Sequence, residues 1–209
     1  MTDRASGGGT RAARCSDMKW LAAGGLLTLC SIAHADDRTF ITLDAELGGG
    51  SVEVVGARHL AVTGDVGLTA GRWLGPDVGI GVRIASVLYG DTTRIDNHDV
   101  ATQSDQVELV GFLRSPAAWF GDLSGRWVAS AGVGGMRRRS DEIHCNGFGD
   151  DVECHTISHL ERKSLVDASA FGGYQLAFHH VTLAVGARAT VDTSGERHLG
   201  VGVAVGAAF

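Results

Sequence analysis

Two short stretches of the chain gather side chains that can do chemistry. The first is "HCNGFGDDVECH", His144 to His155, where a His-Cys pair and a Cys-His pair flank an acidic, glycine-rich middle. Two thiolates and two imidazoles can hold zinc tetrahedrally, and the same two thiols can instead close a disulfide. The second stretch holds Ser194, Glu196 and His198, the nucleophile, acid and base types that acyl transfer uses. What either stretch does depends on the compartment it occupies and on the elements that hold it.

The compartment is legible near the start of the chain. Met18 and Lys19 precede the apolar run "WLAAGGLLTLCSIA", and Ala33-His34-Ala35 follows as a small-x-small cleavage site. A basic start, a short apolar run and such a site predict a secretory signal peptide over 18–35. The run is shorter than the about 20 apolar residues a spanning helix needs. Residues 1–17 read as an upstream extension, not the native start, and 36–209 as the mature domain. A lipoprotein anchor at Cys30 is the competing reading, but Leu29 stands where such signals carry a small residue.

Cleavage removes four basic and two acidic residues from a chain with 18 and 24, leaving a mature charge of −8 with Lys163 the one lysine. An acidic, lysine-poor chain predicts no nucleic-acid partner. Cys15 and Cys30 also leave, so Cys145 and Cys154 remain as an even pair in an exported chain, which predicts a disulfide. Closing that loop would restrict the unfolded chain by roughly 2.5–3 kcal/mol. A Cys/His zinc site is the alternative. It would need both thiols reduced, and adjacent His and Cys side chains point apart in extended backbone.

The elements are strands. Period-2 alternation of apolar and small or polar residues recurs near 39–49, 59–73, 78–89, 106–114, 126–138, 165–178, 181–192 and 198–209. No segment carries a capped helical period. Glycine is 26 of 174 mature residues, about twice the usual share of roughly 7%, as suits coiled strands with a crowded inner face. The connections alternate in length. "LGPD" and "HH" are short, while "GDTTRIDNHDVATQS" and the segment around 139–164 are long; "SPAAWFGDLSG" is long for its place and "TSGER" short.

The last strand, "HLGVGVAVGAAF", puts Leu199, Val201, Val203, Val205, Ala207 and Phe209 on one face and glycine, alanine and His198 on the other. With the signal peptide and a terminal Phe209 it resembles the final strand of bacterial outer-membrane β-barrels. Over 38–209 the pattern resembles the eight-stranded transmembrane domains of the OmpA and OmpX type. The resemblance implies an all-β, eight-stranded antiparallel up-and-down transmembrane β-barrel in the bacterial outer membrane. It implies that Phe209 is an assembly signal read by the barrel-assembly machinery, and that the periplasmic peptidoglycan-binding domain of OmpA-type proteins is absent. Short turns then face the periplasm and long loops the outside. Phe40, Trp73, Trp119, Phe120, Trp127, Phe178 and Phe209 map to the periplasmic rim, where aromatic rings favour the interface; Phe40 and Trp73 have inward parity.

Parity also sorts the charges. Ile41, Leu43, Val66, Leu68, Ile80, Val82, Leu109, Val133, Leu183 and Val185 fall on the lipid side, and Asp44, Glu46, Asp65, Arg83, Glu108, Asp167 and Arg188 on the inner side. Charges facing lipid at mid-strand are costly, but on a common inner face they can pair. Strand heights suggest two clusters: Arg83 with Glu108 and Asp65, and Arg188 with Asp44 and Glu46.

The expected function is a structural or surface-interaction barrel whose lumen is plugged by these side chains and whose Cys145–Cys154 loop is an external staple. Outer-membrane lipids and lipopolysaccharide are the expected partners, and no cofactor is expected. A narrow porin-like pore with cation preference is the alternative, since the inner face holds more acid than base. A lipid-modifying enzyme is a further alternative, but no esterase or deacylase motif surrounds Ser194 and His198, and no catalytic residue is assigned. His59, His98, His144, His155, His159 and His198 fall near the external side with many carboxylates, which reads as a solvated acidic surface. Weak divalent-cation binding, with His144, His155 and His159 as candidates, is the other reading; no metal is assigned.

Overall fold

The structure is a computed structural model. It describes residues 38–54, 57–95, 98–146 and 153–208, with the backbone alone at 54, 57, 91–95, 98–99, 143–146 and 153–155. The expected upstream extension (1–17), the signal peptide (18–35) and Phe209 lie outside the described residues.

Among the described residues nine strands follow one another: β1 (Thr39–Val54), β2 (Ala57–Trp73), β3 (Val78–Ile95), β4 (His98–Arg114), β5 (Ala118–Phe120), β6 (Leu123–Asn146), β7 (Glu153–Phe178), β8 (Val181–Asp192) and β9 (Arg197–Ala208). Apart from the three-residue β5, each pairs antiparallel with its neighbour. β9 pairs back onto β1, and β4 joins β6, so eight strands close into an up-and-down barrel. Through the lipid-facing band, closure pairs each of the eight barrel strands on both sides, so no open backbone row meets lipid there.

The side chains are sorted inside out relative to a soluble fold. Leu109, Val133 and Val185 are more than half exposed, while Arg83, Glu108 and Asp167 are each 1% exposed. A soluble sandwich would bury the aliphatic set instead. The outward apolar band runs from Leu113 to Val107 on β4 and ends at exposed Asp105, which pairs in register with exposed Arg137 on β6. A charge on the lipid face is tolerated only near an interface, so this pair marks the outer boundary of the band.

Two expectations about connections are corrected. "GDTTRIDNHDVATQS" and the segment around 139–164 read as loops, yet β3 and β4 stay paired to Ile95↔His98 and β6 and β7 to Asn146↔Glu153, with irregularities on the way. Above the membrane the outer face is no longer held apolar by lipid, so the alternation fades, although Val52, Ala61, Val87, Tyr89 and Val100 still form a small buried apolar cluster inside. Main-chain pairing does not depend on that alternation and continues. "SPAAWFGDLSG" also proves structured. β5 folds onto β6 through Ala118↔Gly125, Trp119↔Ser124 and Phe120↔Leu123. The turn uses Gly121 at φ 66°, a left-handed conformation that glycine adopts without steric cost.

Trp119, Phe120, Trp127 and Phe178 are exposed on the outer surface at the short-turn end. Phe40 and Trp73 turn inward and meet Phe112 there, with ring centroids 5.1–6.3 Å apart.

Candidate functional site: the charged lumen

All seven charges that parity assigned to the inner face project into the barrel. Arg83 on β3 is the centre of the larger group. Its Nη2 donates to Asp44 Oδ2 on β1 at 2.7 Å and to Asp65 on β2 at 2.9 Å. Its Nη1 lies 3.5 Å from Glu108 Oε2 on β4, an ion pair without hydrogen-bond alignment. The sequence had given Asp44 to Arg188. The correction has a steric cause at Gly67, which stands on β2 opposite Asp44. A Cβ at Gly67 would come within 2.6 Å of Arg83 Nη2 and 2.7 Å of Asp44 Oδ2. The bare backbone at Gly67 leaves room for the guanidinium to pass over β2 to β1, and any side chain there would have to push the pair aside.

Arg188 on β8 makes the same move across β9. Its Nε donates to Glu46 Oε1 on β1 at 2.8 Å. The strand between carries Gly200, opposite Arg188, and Gly202, opposite Glu46. A Cβ on Gly202 would come 2.5 Å from Glu46 Cγ. The Arg188 guanidinium also lies over the Phe171 ring, 5.4 Å from its centroid. Asp167 on β7 stands in register with Gly134 on β6, which is in turn opposite Glu108 on β4. Neither Asp167 oxygen accepts a hydrogen bond from a described donor.

A third group escaped the sequence reading. Arg138 on β6 pairs with Asp192 Oδ2 at 2.7 Å and with Glu196 Oε2 at 2.6 Å, and its Nε donates to Ser104 Oγ at 3.3 Å. All three charged side chains are almost wholly buried. Arg138 sits in "RRR", Arg137 to Arg139, at the end of its predicted strand. The signal that could have found it is parity: counting in from buried Met136 points Arg138 inward and leaves Arg137 and Arg139 outside. Glu196 lies in the external turn between β8 and β9 and also accepts the Glu53 amide. Burial pushes its carboxyl above the usual range, against the opposing pull of that amide and of Arg138.

The residues that suggested acyl transfer are each bonded to a partner of Arg138, or to Arg138 itself, and among the described residues no bond joins them directly. Ser194 Oγ donates to Asp192 Oδ1, Glu196 holds Arg138, and His198 Nε2 lies 3.2 Å from the Tyr89 hydroxyl. In the outer hairpin the register sets Cys145 opposite Cys154 and His144 opposite His155, but their side chains lie outside the described residues. His159 Nδ1 is 2.7 Å from Asp141 Oδ1.

Among the described residues, two spaces in the lumen border these groups. A cavity of about 370 Å³ opens at the short-turn end, walled by Phe40, Trp73, Phe112, Arg114 and Arg126, with Glu46 and Arg188 also in its lining. A second space of about 20 Å³ shares Glu46 and Arg188 with the first and is bounded also by Asp65, Gln106 and His198.

No family model and no curated protein matches the sequence. Solved structures do match the fold. Neisserial surface protein A (NspA) aligns at 11% identity over 82% of this chain and 97% of its own, with a TM-score of 0.50. Ail, the attachment invasion locus protein of Yersinia pestis, aligns at 14% identity over 82% of this chain and 99% of its own, with a TM-score of 0.45. The outer-membrane enzyme PagL aligns at 12% identity over 80% of this chain and 99% of its own, with a TM-score of 0.41. With its closed ring, inward charges and outward aliphatic band, the chain has the fold of the eight-stranded outer-membrane barrels.

Proposed function

We propose that the protein is a non-catalytic structural or surface-display barrel of the outer membrane, with a lumen closed to ions by its own side chains. The observation that carries this reading is the cross-strand bonding of the interior. Arg83, Arg188 and Arg138 each tie strands together through buried carboxylates, and the space beyond the Arg188–Glu46 pair narrows to about 20 Å³, room for about one water. An eight-stranded barrel has an interior that side chains can fill, so no further plug is needed. The outer hairpin supports the display half of the reading. Its arms stay paired to Asn146↔Glu153 with the two cysteines opposite each other, so a disulfide would staple its tip. Outer-membrane lipid and lipopolysaccharide are the surroundings this surface suits, and the C-terminal strand with Phe209 is what the barrel-assembly machinery would read.

The test is conductance in planar bilayers. Wild-type protein is expected to give no stable current steps; Arg188→Ala, which empties one side of the constriction, tests for a gate there, and no change in conductance would count against one. Stable ohmic steps in the wild type would overturn the plug. A cation preference in those steps would favour the narrow-pore alternative, because the inner face carries more carboxylates than guanidinium groups.

A further inference from the structure

The cavity at the short-turn end is more than residual space beneath a plug. We infer that it is a binding site, open to the periplasm, for a small amphiphilic anion: a carboxylate carried on a flat apolar body. Its volume, about 370 Å³, is in the range of small-molecule sites, which combine apolar walls with a few placed polar groups. The apolar wall is the ring cluster of Phe40, Trp73 and Phe112, held edge-on or tilted against one another. A planar ligand can add one more ring to such a cluster at favourable geometry.

The charge comes from Arg114 and Arg126 at the mouth. The Arg114 guanidinium lies 3.9 Å over the Trp73 ring and donates to the Pro76 carbonyl. Arg126 lines the same mouth, where its positive charge opposes that of Arg114 and Asp77 offsets it in part. Among the described residues no carboxylate forms an ion pair with Arg114 or Arg126, and Arg126 Nε, shielded from solvent, donates to no described atom. Two guanidinium groups at one mouth without an ion-pair partner carry an electrostatic cost that a bound carboxylate would relieve. The acidic lining does not compete for this role. Asp44 is held by Arg83, and Glu46 by Arg188. Those pairs are also what block the inner end, so the site fills and empties through one mouth.

The test uses the whole protein in lipid nanodiscs, titrated calorimetrically with 2-naphthoate and with 2-naphthamide, which has the same shape but no charge. Naphthoate is expected to bind saturably, and the amide about tenfold or more weakly, as loss of a charge-assisted hydrogen bond implies. Arg126→Gln is expected to lower naphthoate affinity to near that of the amide while leaving amide binding unchanged. The inference fails if acid and amide bind alike, if the acid does not saturate, or if Arg126→Gln leaves acid binding intact. Heat-modifiable gel mobility checks that the variant is folded, and the acid–amide comparison needs no variant. The result is independent of conductance, so the site and the plug stand or fall separately.

Discussion

Arg83 and Asp44 are separated by an entire strand, yet their side chains meet at 2.7 Å because Gly67 leaves the way open between them. The barrel interior is thus stitched across β2 and not only between neighbouring strands. Replacing Gly67 by alanine would place a methyl against both partners. Overpacking of this kind costs about 1–3 kcal/mol, and breaking a buried pair by removing one partner about 3–5 kcal/mol. Urea unfolding in lipid vesicles should therefore rank Gly67→Ala as destabilised and Arg83→Leu as more so. A Gly67→Ala barrel as stable as the wild type would show that the Arg83–Asp44 contact contributes little.

The outer hairpin yields a redox prediction. With Cys145 and Cys154 in direct register, protein exported to the periplasm should carry both thiols oxidised. Thiol alkylation of unreduced protein should then add no mass, and alkylation after reduction should add two labels. Labelling without prior reduction would exclude the staple.

Tryptophans report on the rim. Trp119 and Trp127 are 70% and 65% exposed on the outer surface, whereas Trp73 is 8% exposed inside the barrel. Single-tryptophan variants in vesicles of brominated lipid should show strong quenching of Trp119 and Trp127 and weak quenching of Trp73. Equal quenching of all three would contradict the inward placement of the ring cluster.

The external turn carries a pH prediction. The Glu196 carboxyl is raised above 4.5, its ordinary value, chiefly by burial. The folded state therefore holds this proton more tightly than the unfolded one. The resulting stability is complete below the unfolded value and is lost as pH rises through the higher folded value. Hydrogen exchange of the Glu53 amide, which donates to Glu196, should speed up across that window beyond its intrinsic base catalysis. Glu196→Gln should remove the extra pH dependence; an unchanged profile in that variant would assign it to another group.

Much of this arrangement was readable before any coordinates. Wherever lipid meets one face, the alternation is forced, so the membrane portions of all eight strands and the inward parity of Arg83, Glu108, Asp167 and Arg188 could be counted off the sequence. Partner choice was less legible. Whether Asp44 goes to Arg83 or Arg188 depends on which intervening residue lacks a Cβ, and Gly67 and Gly202 look alike in a sequence. Arg138 was hidden by its arginine neighbours, and its partner Glu196 by a turn too short to suggest burial. The strand extensions beyond Tyr89 and Arg138 were invisible for another reason: water accepts either parity, so no pattern records the pairing.

Those extensions determine where the molecule can be touched. From Arg137, at the membrane boundary, β6 continues nine residues to Asn146, which at about 3.4 Å per residue is roughly 30 Å of ribbon. Tilt shortens the rise but leaves the tip clear of the lipid headgroups. An antibody, a phage or a neighbouring cell would therefore meet the paired hairpin end at Asn146 and Glu153 before it met any part of the barrel wall.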